Sequence, residues 1–485
     1  MAITVLAPNA DAASNSKGDF SRSKVIFVTL LFLLSLASFV GQTEFTSKAY
    51  KIGFKEPVVL LLVTHGSWWI LWPIQVFSVS FWRMLSEARK QIAKKRKPTG
   101  EAHTRLLERG EAHLEPVSVL PERLPTTRRF NPWRAYKKNI VKQVHTVYHT
   151  SILIYEANIH NDTSVYNCND LIGKNPRISN STSVLTCFRS FASTPSFKYI
   201  FSRTTLIAFL LTIAGATWYA AMSLTDPSDV TAIYNCSAFT AYAFAIPILK
   251  ERFSILKASS VIIAVAGVFI VAYSGSDNGA KAASAKVEYP YRLWGNLLIL
   301  TGAVLYGYYE VVYKKYLCIP AHLVKVITPR RQSTFAIFVM GIFGFISCLI
   351  LGTVIIFGQV SGIHKFNFFD YGAHTTRIWL YISGSIVSNL LFSASFLSLM
   401  ALTSPVLSSV SSLLTIFLIG IVEWFFFGNS LTSLQLLGDF LVIIGFVILT
   451  AASWKEISEG DDHDEIENAS TYSFPASVYS RAESI

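Results

Sequence analysis

Residues 333–357 read STFAIFVMGIFGFISCLILGTVIIF, a run with no charged side chain. As a helix rising about 1.5 Å per residue it is about 37 Å long. The hydrocarbon core of a bilayer is about 30 Å thick. A run this long and this apolar predicts a membrane-crossing helix. Nine more runs of the same kind lie on either side of it, at about 25–40, 57–81, 205–224, 229–249, 258–274, 293–313, 378–400, 405–427 and 434–452. The expected fold is therefore all-α, a polytopic membrane protein of about ten transmembrane helices.

Composition agrees. Of 485 residues, 52% are hydrophobic and only 15% charged, against about 25% charged in a soluble domain. A soluble enzyme of this length lacks the polar surface it would need. The net charge of +12 is also localised. Between Phe81 and Thr204 there are 21 Lys and Arg against 9 Asp and Glu, a difference that matches the whole excess. No helix-turn-helix, zinc-finger or RNA-binding signature accompanies it, so nucleic acid is not an expected partner. A basic loop facing anionic lipid is the plainer expectation. The five cysteines (Cys168, Cys187, Cys236, Cys318 and Cys348) show no metal spacing.

Residues 1–24 are expected to be a disordered N-terminus. Arg22 and Lys24 ahead of 25–40 resemble the start of a secretory signal. The length of the run, and the span at 57–81 close behind it, favour a first membrane helix. The second span ends in Arg83, Arg89, Lys90 and Lys94–Lys97, and basic residues next to a span mark the cytosolic side. Both termini are then cytosolic. The loop 82–204 is cytosolic, basic and expected to be mostly disordered, as is the tail 453–485, acidic first and then rich in Ser and Tyr. Glycosylation at either sequon, Asn161 or Asn180, would invert this topology.

The chain also repeats itself. Met222-Ser-Leu-Thr-Asp-Pro227 returns as Met400-Ala-Leu-Thr-Ser-Pro405, an offset of 178. The same offset aligns Phe239 with Phe417, Leu256 with Leu434 and Gly267 with Gly445. The threading puts the first copy outside and the second inside. Two inverted five-helix repeats are expected, with 25–81 and 205–274 in one and 293–452 in the other.

Thr225–Cys236 leading to Leu249-Lys-Glu-Arg-Phe253, then Ile262–Ser274, resemble the fourth and fifth helices of the EamA-like drug/metabolite transporter superfamily. Trp68-Trp-Ile-Leu-Trp-Pro73, Tyr306–Lys315, and Asn389 leading to Thr403-Ser-Pro405 resemble branch F of solute carrier family 35, its thiamine-transporter-like members. The loop 82–204 has no counterpart in that family. The resemblance implies transport of a small solute, with thiamine and nucleotide sugars among the solutes linked to the family.

Polar groups within a bilayer usually face a cavity or one another. On the fourth span Asn235 and Tyr242 are set to share a face and hydrogen-bond a heteroaromatic solute, with Tyr234 beside them for stacking. Interhelical bonding by the same groups is the equal alternative. Glu310 sits among Tyr306, Tyr308, Tyr309 and Tyr313, a set suited to a cationic solute. Its local alternative is pairing with Lys314, one turn on. Asn389 is a further binding candidate among serines that packing explains. Glu423 and Asp439 are candidates for a coupling proton, or lie in interfacial water, which is the preferred reading.

No P-loop, GxSxG or HExxH motif is present, so neither a catalytic residue nor a cofactor is expected, and His65 lacks a ligand set for a metal. The expected function is secondary-active transport of a small polar or cationic metabolite by alternating access. A membrane scaffold or receptor acting through the basic loop is the main rival, and a membrane-embedded transferase a lesser one. An endomembrane of Golgi or vacuolar type and the plasma membrane both fit, as does a homodimer.

Overall fold

Proline sets the start of four helices, at Pro57, Pro132, Pro195 and Pro329. A first-turn residue has no intrahelical acceptor for its N–H, so proline loses nothing there. The computed structural model describes residues 10–96, 131–159, 183–221, 224, 230, 233–251, 253–274, 291–320, 329–403, 408, 413–415, 418 and 433–458. In chain order the helices are α1 (Ala10–Lys51), α2 (Pro57–His65), α3 (Leu71–Arg96), α4 (Pro132–Ile159), α5 (Val184–Ala192) and α6 (Pro195–Ala221). Then come α7 (Ser237–Leu249), α8 (Ile255–Ser274), α9 (Arg292–Leu317), α10 (Pro329–Ser361), α11 (Thr375–Leu402) and α12 (Ser433–Ser458). Among the described residues there is no strand.

The chain is an all-α polytopic membrane protein. Five described stretches are long and apolar enough to cross a bilayer: Val25–Tyr50, Pro57–Ile92, Pro195–Ala221, Pro329–Ser361 and Gly372–Leu402. Three shorter apolar helices, Ile233–Leu249, Ile255–Ile270 and Leu436–Ala452, match further expected runs. The expected run at 293–313 lies inside α9. The run at 405–427 falls almost wholly outside the described residues, and Glu423 with it. Leu30, Phe77, Phe209, Ile356, Leu380 and Phe440 are each at least half exposed. Side chains of this kind on the outside of a bundle are at home against lipid tails.

Inside, neighbouring helices are joined by short polar side chains. Thr46 of α1 meets Ser385 of α11 at 2.8 Å, and Thr212 of α6 meets Ser347 of α10 at 2.9 Å. Ser333 of α10 donates to Ser398 of α11 at 2.9 Å. Such residues let apolar helices approach closely and still satisfy their hydroxyls.

α8 packs along α12, α1 along α11, α6 along α9, and the stretch 57–96 along α10. The α8–α12 contact is reciprocal. A β-carbon at Gly267 would lie 2.6 Å from the Gly438 carbonyl oxygen and 2.9 Å from the Val442 nitrogen. One at Gly445 would lie 2.7 Å from the Ser260 carbonyl oxygen and 2.8 Å from the Ala264 nitrogen. Adding the offset of 178 to 260, 264 and 267 returns 438, 442 and 445. As numbering rises along α8 it falls along α12, so the two helices run antiparallel. This is the contact pattern of an approximate twofold axis perpendicular to both.

Within 82–204 the structure departs from the disorder expected there. α3 continues to Arg96, α4 forms a helix of 28 residues, and α5 precedes α6, which starts at Pro195 rather than near 205. Ile140, Val144, Val147, Leu153 and Ile154 of α4 are all buried. The burial of that apolar face is what holds the helix, since propensity alone seldom does.

Candidate functional site

The second span is not one helix. α2 gives way to a 3-10 turn at Gly66–Ile70 before α3 begins. A mid-helix 3-10 stretch is a weak point in the hydrogen-bond ladder, and here α10 braces it. A β-carbon at Gly344 would collide with the backbone of Trp68 and Trp69, so only glycine lets α10 come this close. The turn aims Trp68 inward, where its ring stacks on His65 at 4.1 Å and its Nε1 donates to Asn389 Oδ1 of α11 at 2.6 Å. Trp68 and Asn389 are both buried.

At Phe343, next to Gly344 on α10, α9 presents its tyrosines. Tyr306 packs on Tyr234 at 5.2 Å and on Tyr309 at 5.3 Å, and Tyr309 continues to Tyr313 at 6.4 Å and to Phe343 of α10 at 6.1 Å. Glu310 is fully buried beside them, within electrostatic reach of Tyr234, Tyr306 and Tyr309. One turn on, Lys314 Nζ donates to the carbonyls of Met400, Ala401 and Thr403 at 3.1, 3.0 and 2.6 Å. These carbonyls end α11, where the helix dipole favours a cation. The repeated Met-x-Leu-Thr element is thereby tied to α9 just below Glu310.

The structure thus brings together four of the selected residues, Tyr234, Tyr306, Tyr309 and Glu310. Asn235 follows Tyr234, half-buried. Asn389 is engaged instead by Trp68. Tyr242 leaves the group. Its hydroxyl donates to the Ser254 carbonyl and accepts from the Ser254 N–H, both at 3.1 Å, and so fastens the connection between α7 and α8. Asp439 is buried in α12 rather than lying in interfacial water, and its Oδ1 has no hydrogen-bond partner among the described residues. It sits next to Gly438, the residue that abuts Gly267.

A separate cavity of about 240 Å³ opens between α2, α6 and α10, lined by Pro57, Leu61, Thr212, Tyr219, Leu351 and others. Its walls are apolar and hold none of the selected residues, so it offers a polar solute little to bind. Trp68 and His65, which neither charge nor helical spacing singles out in the sequence, join Asn389 beside the 3-10 turn; the tryptophan-rich second span is the sequence signal that points to them.

No family model matches the chain. "Uncharacterized transporter C405.03c" of Schizosaccharomyces pombe is 26% identical over 240 residues, which are 48% of this chain and 65% of that protein. The match spans a little under two thirds of that relative. A solved chain described only as "Crystal structure of protein" is 11% identical, with a TM-score of 0.39 over 65% of this chain and 88% of its own. That superposition is too loose to carry argument.

Proposed function

We propose that this chain is a secondary-active transporter that moves a small polar or cationic solute by alternating access. Its two inverted five-helix halves would rock about a site formed by Glu310, Tyr234, Tyr306 and Tyr309, with Asn235 and Asn389 at the margin. The observation that carries the reading is a carboxylate buried among tyrosines contributed by two different helices. Carboxylate and aromatic faces both attract cations. A thiamine-like cation suits such a site better than a nucleotide sugar, whose diphosphate would meet the Glu310 charge. The reciprocal seating of Gly267 and Gly445 supports the inverted repeat that alternating access uses. The name of the yeast relative supports transport in general.

Asp439 is the proposed coupling-proton residue among those described, and Glu423 a second. The bilayer is either an endomembrane or the plasma membrane. The test is uptake into liposomes holding the purified full chain, screened over thiamine, nucleotide sugars and other metabolites under imposed pH gradients. Saturable uptake lost in Glu310→Gln, with expression and folding intact, supports the site. Equal kinetics in Glu310→Gln and the wild type reject it. Absence of uptake for every solute, together with a protein partner lost on removing the basic loop, would favour the scaffold reading.

A further inference from the structure

α4 belongs to none of the expected spans, yet it is packed against four of the helices that line the core. Asn139 Nδ2 donates to Glu87 Oε1 in the C-terminal half of α3 at 3.3 Å. Tyr155 packs on Tyr199 in the first turns of α6 at 5.7 Å. Arg331 Nε in the first turn of α10 donates to Thr150 Oγ1 at 3.1 Å. Leu317, Cys318 and Ile319, at the end of α9, lie in the same hydrophobic cluster as Val144, Val147, Leu153 and Ile154. α9 ends at this level and α6 and α10 begin there, while α3 runs on past it to Arg96. α4 therefore packs on the continuation of α3 and reaches across the end of the bundle formed by α6, α9 and α10. The cluster it joins continues inward to Tyr309, Tyr313 and Phe343.

We propose that α4 is a plug that closes this end of the route to the tyrosine-lined site and must withdraw for that end to open. The route is that of the transport reading above, and the proposal rests on it. The docked face is built to let go. Asn139, Gln143, His149, Thr150 and Ser151 are buried along with the aliphatic residues. Gln143 Nε2, His145 Nε2 and His149 Nδ1 have no hydrogen-bond partner among the described residues. Each such atom would regain water on withdrawal, which offsets part of the cost of exposing the aliphatic side chains beside it. A permanent core helix would gain from aliphatic residues at these positions. A helix that alternates between docked and free states needs a face tolerable in both.

Native Cys318 reports the docked state, because it is buried under the plugged end. In the full chain, with Cys168, Cys187, Cys236 and Cys348 replaced by serine, the rate of Cys318 modification by a hydrophilic maleimide is read by mass spectrometry. Asn139→Cys and Glu87→Cys are then added and joined by a short, reducible bis-thiosulfonate. The bridge is expected to slow modification of Cys318 at least tenfold, and reduction to restore it. An equal rate with and without the bridge would overturn the plug. Should the substituted chain fail to fold, hydrogen exchange on the unmodified protein decides. Amides of 140–154 should exchange at least tenfold faster than those of 204–214 in α6, and equal protection overturns the proposal. Neither measurement needs a solute. If the bridge slows labelling while no solute is ever taken up, the undocking of α4 stands and it is the transport reading, and with it the route, that fails.

Discussion

Gly267 and Gly445 occupy equivalent places in a reciprocal contact, each with its α-carbon pressed against the backbone of the other's helix. The partners of one, Gly438 and Val442, are the offset-178 equivalents of Ser260 and Ala264, the partners of the other. A sequence repeat and a spatial contact therefore report the same twofold. Independent domains that merely resembled each other would have no reason to meet at matched residues.

A methyl group at either glycine has no room, since carbonyl oxygens and backbone nitrogens cannot move aside as a side-chain tip can. Gly267→Ala and Gly445→Ala should each destabilise the fold by about 1–3 kcal/mol. Because the environments are equivalent, the two losses should be similar. Because both act on one helix pair, the double variant should fall short of their sum. Thermal unfolding in a mild detergent checks this, and an unchanged midpoint in either single variant would contradict the close approach.

The Trp68–Asn389 bond ties the 3-10 turn of the second span to α11. Asn389→Leu leaves the Trp68 N–H buried without its acceptor, at a cost of about 1–3 kcal/mol. Trp68→Phe in that background should then cost less than it does in the wild type, since the orphaned donor is gone. A double-mutant cycle from unfolding midpoints measures the difference, and a coupling near zero would show that the bond does not matter.

Much of the fold is legible in the sequence because hydropathy is a signal along one dimension. An uncharged run as long as 333–357 has few alternatives to a bilayer. The α4 helix is harder to read. Its apolar residues Ile140, Val144, Val147 and Ile154 keep helical spacing, but Asn139 and Gln143 flank that stripe and His149 is buried on the opposite side of the helix. Glu310 and its tyrosines were readable because four aromatic rings and an acid within eight residues of one helix must share neighbours. Tyr242 misled for a local reason. Helical spacing puts it on the side of Asn235, but from the middle of α7 its phenol reaches Ser254, just before α8, whose N–H and carbonyl take both its hydrogen-bonding roles.

If Glu310 supplies charge to a cationic solute, its geometry and its charge can be separated. Glu310→Gln keeps the shape and should reduce the uptake efficiency, kcat/KM, by a factor of about 10–100, an interaction of roughly 1.4–2.8 kcal/mol. Glu310→Asp keeps the charge and should retain more activity than the glutamine variant. Tyr306→Phe, which keeps the ring, should change uptake less than Tyr306→Ala. The reverse order at either position, measured in proteoliposomes, would mean that the carboxylate holds the helix and not the solute.

The docking of α4 should weaken in acid. His145 and His149 approach at 2.6 Å between ring nitrogens, and Arg331 of α10 lies near both. The other ionisable groups that neighbouring helices bring against α4 include Glu87, Cys187 and Tyr199. Burial, then the His145 ring and Arg331, lower the His149 pKa from 6.5 to about 3, and burial with Arg331 lowers that of His145. Docked α4 therefore keeps His149 neutral, whereas free α4 takes up a proton once the pH falls below about 6.5. Docking is at full strength above that value and loses about tenfold per pH unit below it for each histidine that stays neutral when docked. Between pH 7.5 and 5.5, His149 alone should raise the free fraction about tenfold. Labelling of Cys318, normalised at each pH to the unfolded chain, should rise by that factor or more. It should stay flat in the His145→Gln, His149→Gln double variant. A flat profile in the wild type, or the same rise in the double variant, would remove the histidine pair from the control of the plug.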